Sequence, residues 1–197
     1  MAQRIAFWFE FASTYSYLSA MRIEEAAQRH GLTVEWEPFL LGPIFAAQGW
    51  TSSPFNLYPS KGRYMWRDME RLCASRGLPF LRPDPFPQNG LAAARLALVA
   101  RELDRIAPFV RAVFSAEFGR GQDISDPTVL AECWETAGLP DQAMAQARTE
   151  ETKKALFTQG ERAVQAGLFG APSFVVGDEL FWGDDRLDQA LTLAASL

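Results

Sequence analysis

The sequence predicts an α/β domain in which one sheet is assembled from both ends of the chain around an inserted helical block. Three observations carry this. Strand-like runs fall only near the two ends, at Ile5–Phe11 and Thr33–Trp36 and again at Ser173–Val176 and Glu179–Trp182. Helical periodicity and Ala/Leu-rich segments fill the middle. The first two strands are separated by a helix-like stripe, and such a crossover normally makes strands parallel. A chain of 197 residues, 48% hydrophobic and 22% charged, can bury one sizeable core.

The elements follow in order. I-A-F-W-F-E-F at Ile5–Phe11 is too short and too aromatic for a helix and suits a buried strand. Ser13-Thr14 offers an N-cap, and Tyr17, Leu18, Met21, Ile23 and Ala27 give one imperfect helical stripe stopped at His30-Gly31. Thr33–Trp36 alternates as a strand and ends at Pro38. Leu40–Pro59 is an ordered loop with short helical turns. Arg63–Arg76 is a helix with a Met65, Met69, Leu72 stripe, stopped by Gly77. After a proline-rich loop, helices are expected at Leu91–Leu103, at Pro108–Phe118, from Asp126-Pro127 to Thr136, and at Thr149–Ala166. Gly177-Asp178 turns the last two strands into a hairpin, and Asp184–Leu197 closes with a helix that starts on acids. The expected division is a sheet-bearing core from residues 1–40 and 168–197, joined by the helix at 149–166, with residues 41–148 as the helical insertion. No repeat or low-complexity tract interrupts it.

Composition narrows the function. There are 24 acidic and 19 basic side chains, and the net charge of −5 argues against nucleic acid as a partner. No apolar run approaches the ~20 residues of a membrane span. Met1-Ala2-Gln3-Arg4 runs straight into the first strand without a signal-peptide pattern, so a cytoplasmic location is expected. One histidine, His30, leaves no material for a multi-histidine metal site and little for a catalytic triad; it reads as a helix C-cap. Cys73 and Cys133 lie far apart and form no CxxC, so both read as ordinary thiols, Cys73 as a small core residue.

Ser13 stands where the first strand passes into the first helix. Read locally it is an N-cap serine, at a position where backbone N–H groups and the helix dipole favour negative charge. Asp184 and Asp185, at the start of the last helix, read locally as complements to its dipole. Lys61 reads as a solvated lysine. Phe45, Trp50, Tyr64 and Trp182 read individually as packing aromatics.

Four segments change the weighting: F-W-F-E-F-A-S-T-Y-S-Y-L, Y-P-S-K-G-R-Y-M-W-R-D, G-L-F-G-A-P-S-F-V-V and F-W-G-D-D-R-L. In order and spacing they resemble the 2-hydroxychromene-2-carboxylate isomerase family, which sits with kappa-class glutathione transferases among DsbA-like thioredoxin folds. The resemblance spans nearly the whole chain. It implies a thioredoxin-like core with an inserted all-helical domain, a homodimer, and glutathione as the reactive thiol. It also implies interconversion of 2-hydroxychromene-2-carboxylate and trans-o-hydroxybenzylidenepyruvate, a step in naphthalene breakdown, or turnover of a related small aromatic keto acid.

The same resemblance assigns roles. Ser13 is the catalytic serine whose hydroxyl steadies the glutathione thiolate, although Thr14 stands where the family has proline. Ala171-Pro172 corresponds to a cis-proline whose exposed neighbouring backbone pairs with the tripeptide. Asp184 and Asp185 lie nearest the γ-glutamyl end, and Lys61 faces its glycyl end or the anionic substrate. Phe45, Trp50, Tyr64 and Trp182 form an apolar substrate wall. Asn56 is the candidate for a family asparagine, within the altered loop Ser52-Ser53-Pro54-Phe55-Asn56. Three other activities remain open at this point. A glutathione transferase or peroxidase would use the same serine. DsbA-like disulfide exchange would need a resolving thiol that no CxxC supplies. A non-catalytic binding module would keep the fold without the chemistry.

Overall fold

A computed structural model describes residues 3–197; Met1 and Ala2, the first residues of the expected core, lie outside the described residues. Strand β1 (Arg4–Phe9) is central in a four-stranded sheet of order β2-β1-β3-β4. It pairs in parallel with β2 (Thr33–Pro38) and antiparallel with β3 (Ser173–Val176), which forms a hairpin with β4 (Glu179–Trp182). Phe7 is thereby opposite Trp36 on one side and Phe174 on the other.

The position of β1 explains its unbroken apolar run. Side chains alternate between the two faces of a strand, and both faces here are covered. Ile5, Phe7 and Phe9 join the main core, while Trp8 packs on the opposite face with Phe39, Leu41, Ile44, Ala163 and Leu168. Each buried aromatic of this size contributes roughly 1.5–3 kcal/mol relative to exposure. The main core runs on without a break into the helical block, through Phe109, Phe114, Phe118 and Trp134.

The first crossover is two helices, not the single stripe the sequence predicts. Helix α1 (Thr14–Ala20) stops at Met21, and α2 (Ile23–Arg29) restarts after Arg22, whose backbone leaves the helical region. Arg22 is held at that break by Asp184, 162 residues further on, a long-range tie that no local pattern announces. Strand β1 also ends earlier than expected. The Ser13 N–H donates to the Glu10 carbonyl at 3.1 Å, turning the chain after Phe9.

The expected short turns after β2 are α3 (Leu41–Ala47) and α4 (Pro54–Leu57). Helix α5 (Pro59–Arg76) begins one turn before the predicted start, with Pro59 in its first turn, and ends at Gly77 in a left-handed conformation. Helices α6 (Leu91–Glu102) and α7 (Ile106–Phe114) follow, and α7 runs into a π turn at Ser115–Gly119. Asp126 caps α8 (Pro127–Thr136), a 3-10 stretch spans Asp141–Arg148, and Thr149 caps α9 (Glu150–Gln165). A 3-10 turn at Asp184–Arg186 leads into α10 (Leu187–Ala194). His30 is the C-cap of α2, as its position suggested. No helix among the described residues is long and apolar enough to cross a membrane.

Candidate active site

A cavity of about 1730 Å³ opens between the sheet's connections and the helical block. Typical small-molecule sites run to about 300–1,000 Å³, so this one has room for two ligands side by side. Ser13, Lys61, Ala171, Pro172, Asp184 and Asp185 all line it, and so do Phe45, Trp50, Tyr64 and Trp182.

Ser13 is the N-cap of α1. Its Oγ accepts the Ser16 N–H at 3.2 Å and donates its hydrogen to the Ala171 carbonyl at 3.0 Å. The Ala171-Pro172 peptide is cis, as expected. The cap therefore brings together two segments 158 residues apart, and the serine hydrogen rests on the carbonyl that precedes the cis-proline. The Ala171 carbonyl is thus already engaged by Ser13. Its N–H has no acceptor among the described residues and stays available to an extended ligand.

Helix α5 lines one wall through a stripe that shares only Leu72 with the predicted apolar face. Lys61, Tyr64, Asp68, Leu72 and Arg76 recur at three- and four-residue spacing and face the cavity, while Met65, Met69 and Cys73 are buried behind them. Gly62 lets α5 pack against α4, since a Cβ there would lie 2.3 Å from the Phe55 carbonyl oxygen. Lys61 is exposed, with Nζ 5.2 Å from the centre of the Tyr58 ring. The Tyr15 hydroxyl donates to Asp68 at 3.0 Å; burial and that carboxylate push its pKa up, so Tyr15 stays a neutral donor.

The two acids of the last turn differ sharply. Asp184 is 4% exposed and its carboxylate is consumed inside the protein. It accepts from Ser19 Oγ at 2.9 Å, Arg22 Nε at 3.3 Å and Arg76 Nη2 at 2.6 Å, and its carbonyl accepts Arg22 Nη2 at 2.7 Å. The Asp184 carboxylate, which the resemblance sets near the γ-glutamyl end of glutathione, is instead spent fastening α1, α2 and α5 to the start of the final turn. Asp185 is exposed at the cavity wall and keeps the ligand-facing role open to it. Gly183, at φ +111, allows this placement, because a Cβ there would sit 2.6 Å from Asp185 Oδ1. Arg76 Nη1 is buried without a partner beside this cluster.

Asn56 is the sequence candidate that does not line the cavity. Its amide donates to Ser52 Oγ at 3.2 Å and to the Phe86 carbonyl at 3.0 Å, fastening the loop before Lys61 to the proline-rich segment. The aromatics do form walls. Phe45 and Trp50 rings are 5.4 Å apart, and Trp182 packs edge-on against Phe169 at 5.0 Å. Trp182 lies over bare backbone at Gly170, where a Cβ would meet Nε1 at 2.4 Å.

Several lining groups escaped the sequence reading: Tyr15, Asp68, Arg76, Gln88, Phe169 and above all Glu10. Burial pushes the Glu10 carboxyl up to about 7 against the lowering effect of the Leu41 N–H. Glu117, in the π turn, is wholly buried; burial and the nearby charges of Glu10 and Asp123 hold its carboxyl well above the usual carboxylate range. The available signal was an acid inside each of two apolar runs, F-W-F-E-F and F-S-A-E-F. Neither cysteine lines the cavity. Both are buried, and burial pushes each thiol up to about 11, which leaves almost no thiolate at neutral pH.

Residues 4–193 match the DSBA-like thioredoxin domain family. A 2-hydroxychromene-2-carboxylate isomerase of Sphingobium xenophagum is 33% identical, over 95% of this chain and 96% of the relative. Human glutathione S-transferase kappa 1 is 24% identical, over 95% of this chain and 89% of its own. A solved structure of a 2-hydroxychromene-2-carboxylate isomerase superposes with a TM-score of 0.87 at 25% identity, covering 98% of this chain and 95% of that one.

Proposed function

The chain belongs to the DSBA-like thioredoxin domain family, in its group of 2-hydroxychromene-2-carboxylate isomerases, and from that premise we propose that it is a glutathione-dependent isomerase of 2-hydroxychromene-2-carboxylate or a related aromatic keto acid. One observation carries the reading. A serine hydroxyl faces a large cavity beside a cis-proline, in a chain whose own thiols are buried elsewhere.

The residues present fit glutathione. An extended tripeptide meets the unused Ala171 N–H, and its carboxylates have Lys61 and the unpaired Arg76 Nη1 within the same cavity. Its ammonium group has Asp185 at the wall. When bound, glutathione supplies a thiolate nucleophile able to add reversibly to a conjugated double bond, the logic of covalent catalysis. Ser13 presents the hydroxyl hydrogen that steadies such an anion, drawing it from the Ala171 carbonyl, and the N-terminus of α1 favours negative charge at the same point. Tyr15, held neutral by burial and by its bond to Asp68, adds a fixed polar edge. The apolar aromatic walls exclude water and accept a flat substrate.

The test is direct. Isomerisation should be accelerated only when glutathione is present, and Ser13→Ala should lower it by about 10²–10³-fold, the usual effect of removing one donor to a developing anion. Unchanged turnover without glutathione would overturn the reading. A second activity, transfer of glutathione to an electrophile, is supported by the likeness to the human kappa enzyme. Comparing chromene isomerisation with chlorodinitrobenzene conjugation on one preparation separates the two.

A further inference from the structure

The isomerase reading leaves one chemical demand unmet. A 2-hydroxychromene-2-carboxylate is a cyclic hemiketal whose C3–C4 double bond lies in a six-membered ring, where only the cis arrangement fits. The bond between C2 and the ring oxygen must open before a trans product can form. Opening moves a proton from the C2 hydroxyl to the phenolic oxygen and needs no thiol.

The cavity contains an acid that the proposed function does not use. Glu10 follows directly on β1, three residues before Ser13, and its carbonyl accepts the Ser13 N–H. It is half-buried and lines the cavity, as does Gln88. Behind it lies Glu117, 0% exposed, with neither carboxyl oxygen partnered. Gln88 Nε2 is also buried without a partner, while its Oε1 accepts the Ile124 N–H at 2.9 Å. Among the described residues no lysine or arginine pairs with either acid. The groups these acids meet are each other, Asp123 and the Leu41 N–H. Buried polar groups are normally satisfied, so an unpaired cluster at a cavity wall calls for a chemical reason. The π turn that presents Glu117 is a distortion common at functional sites.

We propose that Glu10 is a catalytic proton shuttle that opens the hemiketal ring of the substrate, an inference that rests on the isomerase reading. The Glu10 carboxylate takes the proton from the C2 hydroxyl. The released O–H electron pair becomes the new C2–oxygen double bond, and the bond from C2 to the ring oxygen breaks with its pair left on the phenolic oxygen. Glu10 then returns its proton to that oxygen. Nothing is oxidised or reduced and no net proton is consumed. A carboxyl held at about 7 has both forms present at neutral pH, the condition for efficient transfer in both directions. Burial favours the proton-bearing form of Glu117 behind it, so the pair repels an anionic substrate less than two carboxylates would.

Stopped-flow absorbance of ring opening without glutathione tests this, alongside complete isomerisation with glutathione. The wild-type chain should accelerate opening without glutathione, with a limb in the pH–rate profile near 7. Glu10→Gln should reduce that acceleration by about 10²–10⁴-fold and remove the limb. Glu10→Asp, which keeps a carboxyl, should retain a displaced limb. Ser13→Ala should lose complete isomerisation in the presence of glutathione. Wild-type protein that fails to speed opening, or a wild-type profile flat between pH 5 and 9, overturns the proposal without help from any variant. So does Glu10→Gln opening the ring at the wild-type rate. If isomerisation proves independent of glutathione while Glu10→Gln still abolishes opening, the thiol reading falls and the shuttle stands.

Discussion

Two buried acids, Asp184 and Glu117, are built in opposite ways. Asp184 has every oxygen occupied by Ser19, Arg22 and Arg76, and its backbone carbonyl by Arg22 as well. Glu117, equally buried, has no partner at all, and its neighbour Glu10 has only a backbone N–H. The first arrangement offsets the cost of burying charge with complementary charge and fixes geometry. The second leaves the cost standing and moves the proton affinity instead. A buried carboxylate is therefore a tie in one place and a chemical group in another.

Breaking the tie should give the largest effect. Asp184→Ala leaves two arginines facing one another across a part-buried gap, at a cost of about 3–5 kcal/mol. Its urea midpoint should drop accordingly, and Asp184→Asn, which keeps an acceptor for Ser19, should lose less. An Asp184→Ala protein as stable as wild type would mean that the cluster holds nothing.

Next in size is a pH dependence of stability from the unpaired side. The Glu10 carboxyl is raised from 4.5 to about 7 in the folded chain. Its contribution is fully present below about pH 4.5 and is lost as pH rises to about 7, amounting to roughly 3 kcal/mol. Urea midpoints measured across that window should fall with rising pH, and Glu10→Gln should flatten the fall. Glu117→Gln should remove a further decline at higher pH, since its carboxyl is also displaced upward.

A smaller effect extends the contrast to the thiols. Cys73 and Cys133 are raised by burial and lie off the cavity, so a disulfide reagent at pH 7 should label them only as fast as the chain opens. Labelling within seconds in the absence of denaturant would contradict their burial. Smallest of all is Asn56→Ala. It should shift the KM for glutathione by less than about twofold, because Asn56 does not line the cavity and its amide is spent on Ser52 and the Phe86 carbonyl.

The sequence carried most of the fold. The doubly buried strand, the hairpin, the caps at Ser13, Asp126 and Thr149, and the Gly77 stop are all local signals, read within a few residues. The break between α1 and α2 was not legible, because an arginine tied to Asp184 across 162 residues holds it. The π turn after α7 was hidden too, inside a run that reads as continuous helix. At the site, the placement of Ser13, the aromatics and the cis-proline was legible through whole-chain likeness. Glu10 and Glu117 were visible as letters but not as a pair.

By itself the sequence determined the order and approximate extent of most strands and helices, how apolar each face is, and that no dithiol is available. Those properties depend on neighbours three or four residues away. Only the tertiary structure decided which acid is neutralised and which is left to hold a proton. That depends on which cations arrive from distant segments, as Arg76 arrives at Asp184 over 108 residues and none arrives at Glu117 among the described residues.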